Sequence, residues 1–364
     1  MKKYFFLAAA ALVAMCACTK TVVNEAPDQA IGFNVASYVP QTKANEVSII
    51  GETKSFHTYA FYHVNGGAAQ AYFTAAGEDI TPDSESNPSK WAPSHAYYWP
   101  KTGSINFYSY YGSQAPAVTD GSLTYTDKTI GATDNIVFAD PAFCQTANLN
   151  KYKKDSVTEG VPTLFHHALC QIAFDANVTK VNDKADDWTE GKPFTTWEVT
   201  ILEAKLVVDN KGTLTLSKPV PAATADPSNP AWLESYDVPG WVPASSTETI
   251  NMTALPTTTA LTKTAQSILA LRSAMPQKFD DTNVFSIKYQ IKTIRSWDES
   301  NPAIEVVEDT KKLSEFSSAI TSWNMNKKIT YHITINPVDQ QILFDPALEN
   351  WIADDGGNIT LPTE

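Results

Sequence analysis

The stretch "FSIKYQIK", residues 285–292, decides the fold class. Phe285, Ile287, Tyr289 and Ile291 alternate with Ser286, Lys288, Gln290 and Lys292. A period of two puts the apolar side chains on one face of an extended strand and the polar ones on the other. One buried and one wet face is the pattern of an antiparallel sheet.

The same period recurs outward from this segment. In "ITYHITINP" (329–337), Ile329, Tyr331, Ile333 and Ile335 alternate with Thr330, His332 and Thr334. "TWEVTI" (196–201) sets Trp197, Val199 and Ile201 on one face, and "AIGFNVASYV" (30–39) does so with Ile31, Phe33 and Val35. "KLVVDNKGTLTLS" (205–217) reads as a hairpin turning at Asn210–Gly212. "TKTAQSILALRSAM" (262–275) fits a helix or a strand equally. Loops by composition lie at 82–94, 221–232 and 242–249, rich in Pro, Ser, Asn and Asp. The expected class is all-β with little helix, in β-sandwiches. No exact repeat of 20–50 residues is visible.

Sixteen positions from 97 to 112, "YYWPKTGSINFYSYYG", carry seven aromatic rings. Pro100 and Gly103 bracket a turn, after which Ile105 and Phe107 share one face of a strand and Asn106, Tyr108 and Tyr110 the other. Aromatic residues favour strands and fill cores well, so packing is the favoured role. A platform for sugar is the alternative.

The chain opens "MKKYFFLAAAALVAMCACTK". Lys2 and Lys3 precede an apolar run from Tyr4 to Ala14, too short to span a bilayer of about 30 Å. That is the form of a secretory signal peptide over residues 1–17. A small residue directly before a cysteine, Ala17-Cys18, resembles the bacterial lipobox, and Ala17 suits Cys18 better than Met15 suits Cys16. Cys18 is the expected site of lipidation, and several acyl chains on one residue anchor stably. An ordinary signal peptide with chance cysteines is the alternative.

Removing residues 1–17 from 364 leaves 347, a length for about two domains, and the formal charge of −13 becomes −15. An acidic chain argues against nucleic acid or anionic membrane as partner, since both need clustered Lys and Arg. A boundary is read near Gly160–Thr163, giving domains 18–162 and 163–364. Cys144 and Cys170 would meet an oxidising compartment and could pair. In "LFHHALCQIAF" (164–174), however, Cys170 is in register with Leu164, Ala168, Ile172 and Phe174, as a buried thiol would be.

Catalytic and metal signatures are weak. His166 and His167 point to opposite faces if they lie on a strand. His57 and His63 would share a face about 20 Å apart. His332 falls on a polar face, where solvent would reach it. Asp186-Asp187 and Asp354-Asp355 do not match a calcium loop, and no G-x-S-x-G elbow or phosphate-binding glycine loop is present. The reading is no enzyme, no metal and no cofactor. Asp155-Ser156-Val157 resembles an O-glycosylation site, which makes Ser156 a candidate.

In order, the lipobox, "IGFNV", "SFHTYAFY", "YYWPKTGSINFYSYY", "LFHHALCQIAF", "MPQ", "TSWNMNKKITYHITI" and "ILFDPALENW" resemble the fimbrillin family, the type V pilins of anaerobic Gram-negative bacteria. The resemblance spans nearly the whole chain. It implies two tandem antiparallel β-sandwich domains of transthyretin-like topology and export as an outer-membrane lipoprotein. It also implies loss of a first strand to a usually Arg-directed protease, and a groove that accepts a strand from a neighbouring subunit. The removable strand would lie within 30–43, and the donor near "NITLPTE" at the C-terminus.

One departure from that pattern is concrete. Only Arg272 and Arg295 exist, both in the second half, so cleavage would fall after Lys43, before Ala44, or not occur. The resulting expectation is a fimbrial subunit or pilus-associated adhesin. Its partners would be other subunits, the outer membrane through its lipid, and a host or bacterial receptor or glycan. The rival is a monomeric glycan-binding surface lipoprotein with a platform from Trp91, Trp99, Trp188, Trp232 and Trp241.

Overall fold

A computed structural model describes residues 30–37, 55–64, 67–82, 90–145, 160–217 and 240–350. The first half contains β1 (Phe33–Ser37), β2 (Phe56–His63), β3 (Gln70–Ala71), β4 (Glu78–Pro82), β5 (Lys90–Pro93), β6 (Ser104–Gly112), β7 (Ala117–Thr119), β8 (Ser122–Thr129), β9 (Ile136–Ala139), β10 (Ala142–Gln145) and β11 (Val161–His167). The second contains β12 (Cys170–Val178), β13 (Thr195–Asp209), β14 (Lys211–Ser217), β15 (Val242–Pro243), β16 (Thr247–Asn251), β17 (Gln266–Ala274), β18 (Gln277–Lys278), β19 (Val284–Arg295), β20 (Ala303–Lys312), β21 (Ser322–Trp323), β22 (Lys327–Asn336) and β23 (Gln341–Asn350). A short 3-10 turn, Leu313–Glu315, follows β20. The described residues are almost entirely β, as the alternation predicts, and residues 266–274 are strand rather than helix.

The second half is a sandwich of two four-stranded sheets, β17-β12-β22-β23 and β16-β13-β19-β20. Their inward faces are the alternating residues read from the sequence. Phe285, Ile287, Tyr289 and Ile291 meet Ile329, Tyr331, Ile333 and Ile335 in one core. Phe174 stacks on Phe285 at 5.5 Å and on Tyr331 at 4.6 Å between ring centroids. Burying such a side chain stabilises by about 1.5–3 kcal/mol, so this two-sided ladder holds the sheets face to face.

In the first half a nine-stranded sheet runs β10-β6-β9-β11-β1-β5-β4-β2-β3, and β2 pairs β6 as well. Strands β6 to β2 therefore close on themselves around a core of Phe33, Phe56, Trp91, Phe107 and Phe165. Phe56 lies edge-on to Phe165 at 5.2 Å.

The two halves are joined by a third layer that the sequence does not reveal. The expected hairpin at Asn210–Gly212 does not form: β13 and β14 belong to different sheets. The β14 strand instead pairs antiparallel with β8 of the first half, Lys211 facing Thr129 and Ser217 facing Ser122. Turn-like composition marks where the chain leaves a sheet, and long-range pairing decides whether it returns. Gly212 passes so close to Val242 that a Cβ would lie 2.7 Å from that carbonyl oxygen.

The β15-β14-β8-β7 sheet covers the outer side of β6 and β9. Tyr108, Ile136 and Phe138 meet Leu123, Tyr125, Leu214 and Leu216 there. The boundary read at 162/163 falls inside β11, which pairs β1 and β9 in the first sheet; β12 in the second sandwich begins at Cys170.

Candidate assembly interface

The first strand is held on both sides. In β1, Phe33 to Ser37 run parallel to Val161 to Phe165 of β11, while Phe33 and Asn34 oppose Trp91 and Lys90 of β5. The Val161 N–H donates to the Gly32 carbonyl and the Ile31 N–H to the Tyr97 carbonyl, both at 2.7 Å. Ile31 and Phe33 are buried, and Phe33 packs edge-on to Phe56 at 5.7 Å and Phe107 at 5.6 Å. Without this strand, β11 and β5 would face each other as two open edges over a floor of Phe56, Trp91, Phe107 and Phe165. Such a slot carries backbone donors and acceptors plus apolar pockets spaced for alternate side chains.

Among the described residues, long strands with one unpaired edge lie in the second sandwich. Among these residues, β20 and β23 each pair on one side only, with β19 and β22 respectively. Ile304 and Val306 on β20 and Leu343 and Leu348 on β23 are exposed. The β22–β23 turn reaches across to β20, where Gln340 Nε2 donates to Glu305 at 2.7 Å, and the Lys311 ammonium lies 4.8 Å from the Phe344 ring centre. Lys327 opens β22 opposite Asn350, and the Asn326 N–H donates to Leu169 at 3.0 Å. The chain thus leaves β23 beside the junction of the halves.

The histidines are placed singly. His57 Nδ1 lies 2.8 Å from Asp79, His63 Nε2 3.1 Å from Asp120, His166 Nε2 3.1 Å from Asp140 and His332 Nδ1 2.7 Å from Asp175. His332, expected to be merely solvated, is thus tied to the neighbouring parallel strand. His166 stacks on Phe138, while His167 turns inward and is buried, which pushes its pKa down to about 3, the nearby His166 adding to the effect. No three of His, Cys, Asp and Glu converge as metal ligands among the described residues.

Cys144 lies in the first core and Cys170 in the second, and no disulfide joins them. Burial raises the Cys170 thiol far above its ordinary pKa, and it donates to the Ala274 carbonyl at 3.3 Å. Cys18, Lys43, Ala44, Ser156 and the C-terminal donor segment lie outside the described residues, as do 38–43 of the candidate removable strand.

Among the described residues, the expected tryptophans do not form one platform. Trp91 and Trp241 are core residues, and Trp241 Nε1 donates to the Ala168 carbonyl at 2.7 Å. Trp99 packs edge-on to Phe107 at 5.9 Å, Trp188 lies in a loop of the second half, and Trp232 is outside the described residues. The rings of 97–112 are largely packing: Phe107 and Tyr108 are buried, Tyr98 is exposed. The Asn106, Tyr108 and Tyr110 face of β6 packs under the third layer, a cover that local periodicity does not register.

Among solved structures, the chain is similar to a fimbrial protein from Bacteroides vulgatus, with 15% identity, TM-score 0.46, and 89% of this chain and 99% of that one covered. It is similar to a putative cell adhesion protein from Bacteroides uniformis, with 11% identity, TM-score 0.45, and 89% and 98% covered. It is also similar to the tip fimbrial protein Mfa3 from Porphyromonas gingivalis, with 8% identity, TM-score 0.35, and 89% and 100% covered. No curated protein sequence matches. The family model described as fimbrillin-like matches residues 42–351, nearly the whole chain, and the protein belongs to that fimbrillin-like family.

Proposed function

We propose that this protein is a non-catalytic subunit or adhesin of a surface fimbrium that associates with other pilus subunits by strand exchange. The observation that carries the exchange is the place of β1. It is a short strand, buried between β11 and β5 and followed by residues that include Lys43. Its loss would open a slot whose backbone groups and apolar floor favour an incoming extended strand. Register would follow from the alternation of that strand's side chains. The donor would be the segment after Asn350, which departs beside the junction.

In this reading Cys18 carries the lipid that holds the precursor at the outer membrane, and Lys43-Ala44 is the maturation site. If β1 stays, the subunit cannot accept a donor there and serves as a terminal or anchoring component. The two halves divide at Ala168–Leu169, between β11 and β12. Electron microscopy of sheared surface material, labelled for this protein, tests the assignment: label along or at the ends of filaments supports it. Label confined to the cell envelope, with no filaments, rejects it.

A further inference from the structure

The end of the second sandwich farthest from the first half carries an unusual exposed aromatic group. Trp297 sits in the β19–β20 turn with 61% of its surface exposed, and it alone is exposed among the described tryptophans. The turn that presents it is closed by its own hydrogen bonds. The Asp298 N–H donates to Arg295 at 2.9 Å, the Asn301 N–H to Asp298 at 3.2 Å, and Asn301 Nδ2 to the Asp298 carboxylate at 2.7 Å. The backbone that presents the ring is therefore ordered before any ligand binds, which lowers the loop-ordering cost of binding.

A second aromatic group lies on the segment that pairs with the residue before Trp297. The Ser296 N–H donates to the Phe194 carbonyl, and the Phe194 N–H to Ser296 Oγ, both at 2.9 Å. Phe194 meets Trp188 edge-on at 5.5 Å, and the Lys184 ammonium lies 4.0 Å from the Phe194 ring centre and 4.2 Å from that of Trp188. Trp188 is fixed in turn, its Nε1 donating to the Lys192 carbonyl at 3.1 Å. Both groups lie at the Thr195–Arg295 end of β13 and β19. The opposite end of β13, about 45 Å away at 3.3 Å per residue, leads into the junction layer.

The surroundings select among partners. Asp183, Asp186, Asp187, Glu190, Asp298 and Glu299 outnumber Lys184, Lys192 and Arg295 on these two segments. The core of a protein–protein interface is depleted of charge, whereas here charged and amide groups crowd small aromatic faces. An aromatic face beside hydrogen-bonding groups fits a ligand with one apolar and several hydroxyl-bearing surfaces, and the acidic surplus repels anions.

We propose that Trp297, with Trp188 and Phe194, forms a platform for a neutral or amine-bearing glycan at this outward end of the second sandwich. The proposal rests on the adhesive reading above and gives it a ligand class.

The test is a glycan array of neutral, amine-bearing and sialylated or sulfated members, probed with the mature protein and with Trp297→Ala and Trp297→Tyr. The wild type is expected to bind at least one neutral or amine-bearing member. Trp297→Ala should lose at least tenfold in apparent affinity at an unchanged melting temperature, and Trp297→Tyr should keep part of it. A silent array, preference for anionic members, or undiminished binding by Trp297→Ala overturns the platform. A silent array together with Trp297-dependent capture of another subunit assigns the surface to protein instead. Incorporation into sheared fimbriae is followed in parallel. If wild type and Trp297→Ala both incorporate while the array is silent, only the platform fails; if neither incorporates, the fimbrial reading fails.

Discussion

Phe107 and Tyr108 are neighbours in one strand and belong to different cores, each 1% exposed. Phe107 points into the closed sheet of the first half, and Tyr108 points out of it, under the layer built from both halves. The Tyr108 hydroxyl accepts the Gly121 N–H at 2.6 Å, beside the start of β8. β6 is thus where the N-terminal core and the junction share a wall. Phe107→Ala is expected to cost about 3–5 kcal/mol, as large-to-small changes in aromatic cores do. Chemical denaturation followed by circular dichroism measures it, and a variant as stable as the parent would contradict the packing role.

Trp241 couples the halves more directly. Its indole N–H satisfies the Ala168 carbonyl in the link between β11 and β12, and its ring packs 6.4 Å from Tyr125. Trp241→Phe keeps an aromatic ring but orphans that carbonyl, at a cost of about 1–3 kcal/mol. Thermal unfolding should show the loss, accompanied by faster limited proteolysis near residue 168. An unchanged melting curve would mean that the junction does not depend on this bond.

His167 should make the fold acid-sensitive. Burial holds its pKa down at about 3, against about 6.5 for an unfolded chain. Above pH 6.5 both states are neutral at this site and its penalty vanishes. Below pH 6.5 the unfolded state takes up a proton that the native state refuses, so stability falls as pH drops toward 3. The slope from this one group is at most about 1.4 kcal/mol per pH unit. Urea midpoints measured between pH 7 and 5 should decline more steeply in the wild type than in His167→Gln. Parallel declines would show that this group does not contribute.

Maturation is decided by the N-terminus of the assembled protein. Cleavage after Lys43 predicts a start at Ala44, and Lys43→Gln should then abolish incorporation while leaving membrane anchoring intact. Cys18→Ala should release the precursor from the membrane fraction or leave it unprocessed. N-terminal sequencing and mass spectrometry of sheared material read both. An acylated Cys18 on filament-borne protein would assign this subunit to an anchoring position.

The alternation of residues 285–291 and 329–335 determined two strands and their buried faces, because side-chain direction in a strand is a local property with a period of two. Cys170, Ile172 and Phe174 were legible as core for the same reason. Which strands are neighbours was not legible. The run from 205 to 217 carries all the local marks of a hairpin, yet β14 leaves β13 and pairs with β8 more than eighty residues earlier. The face of β6 that carries Asn106, Tyr108 and Tyr110 is covered by a layer drawn from both halves, and Trp91 and Trp241, near loop-like sequence, became core. In each case the deciding contact joins residues far apart in the chain, whose energy no window of local sequence contains. The outward platform followed the same rule: Trp188, Phe194 and Trp297 are separated in sequence and brought to one end of the sandwich by the pairing of β13 with β19. Composition and period fixed what each strand would bury, and the tertiary fold alone decided against what.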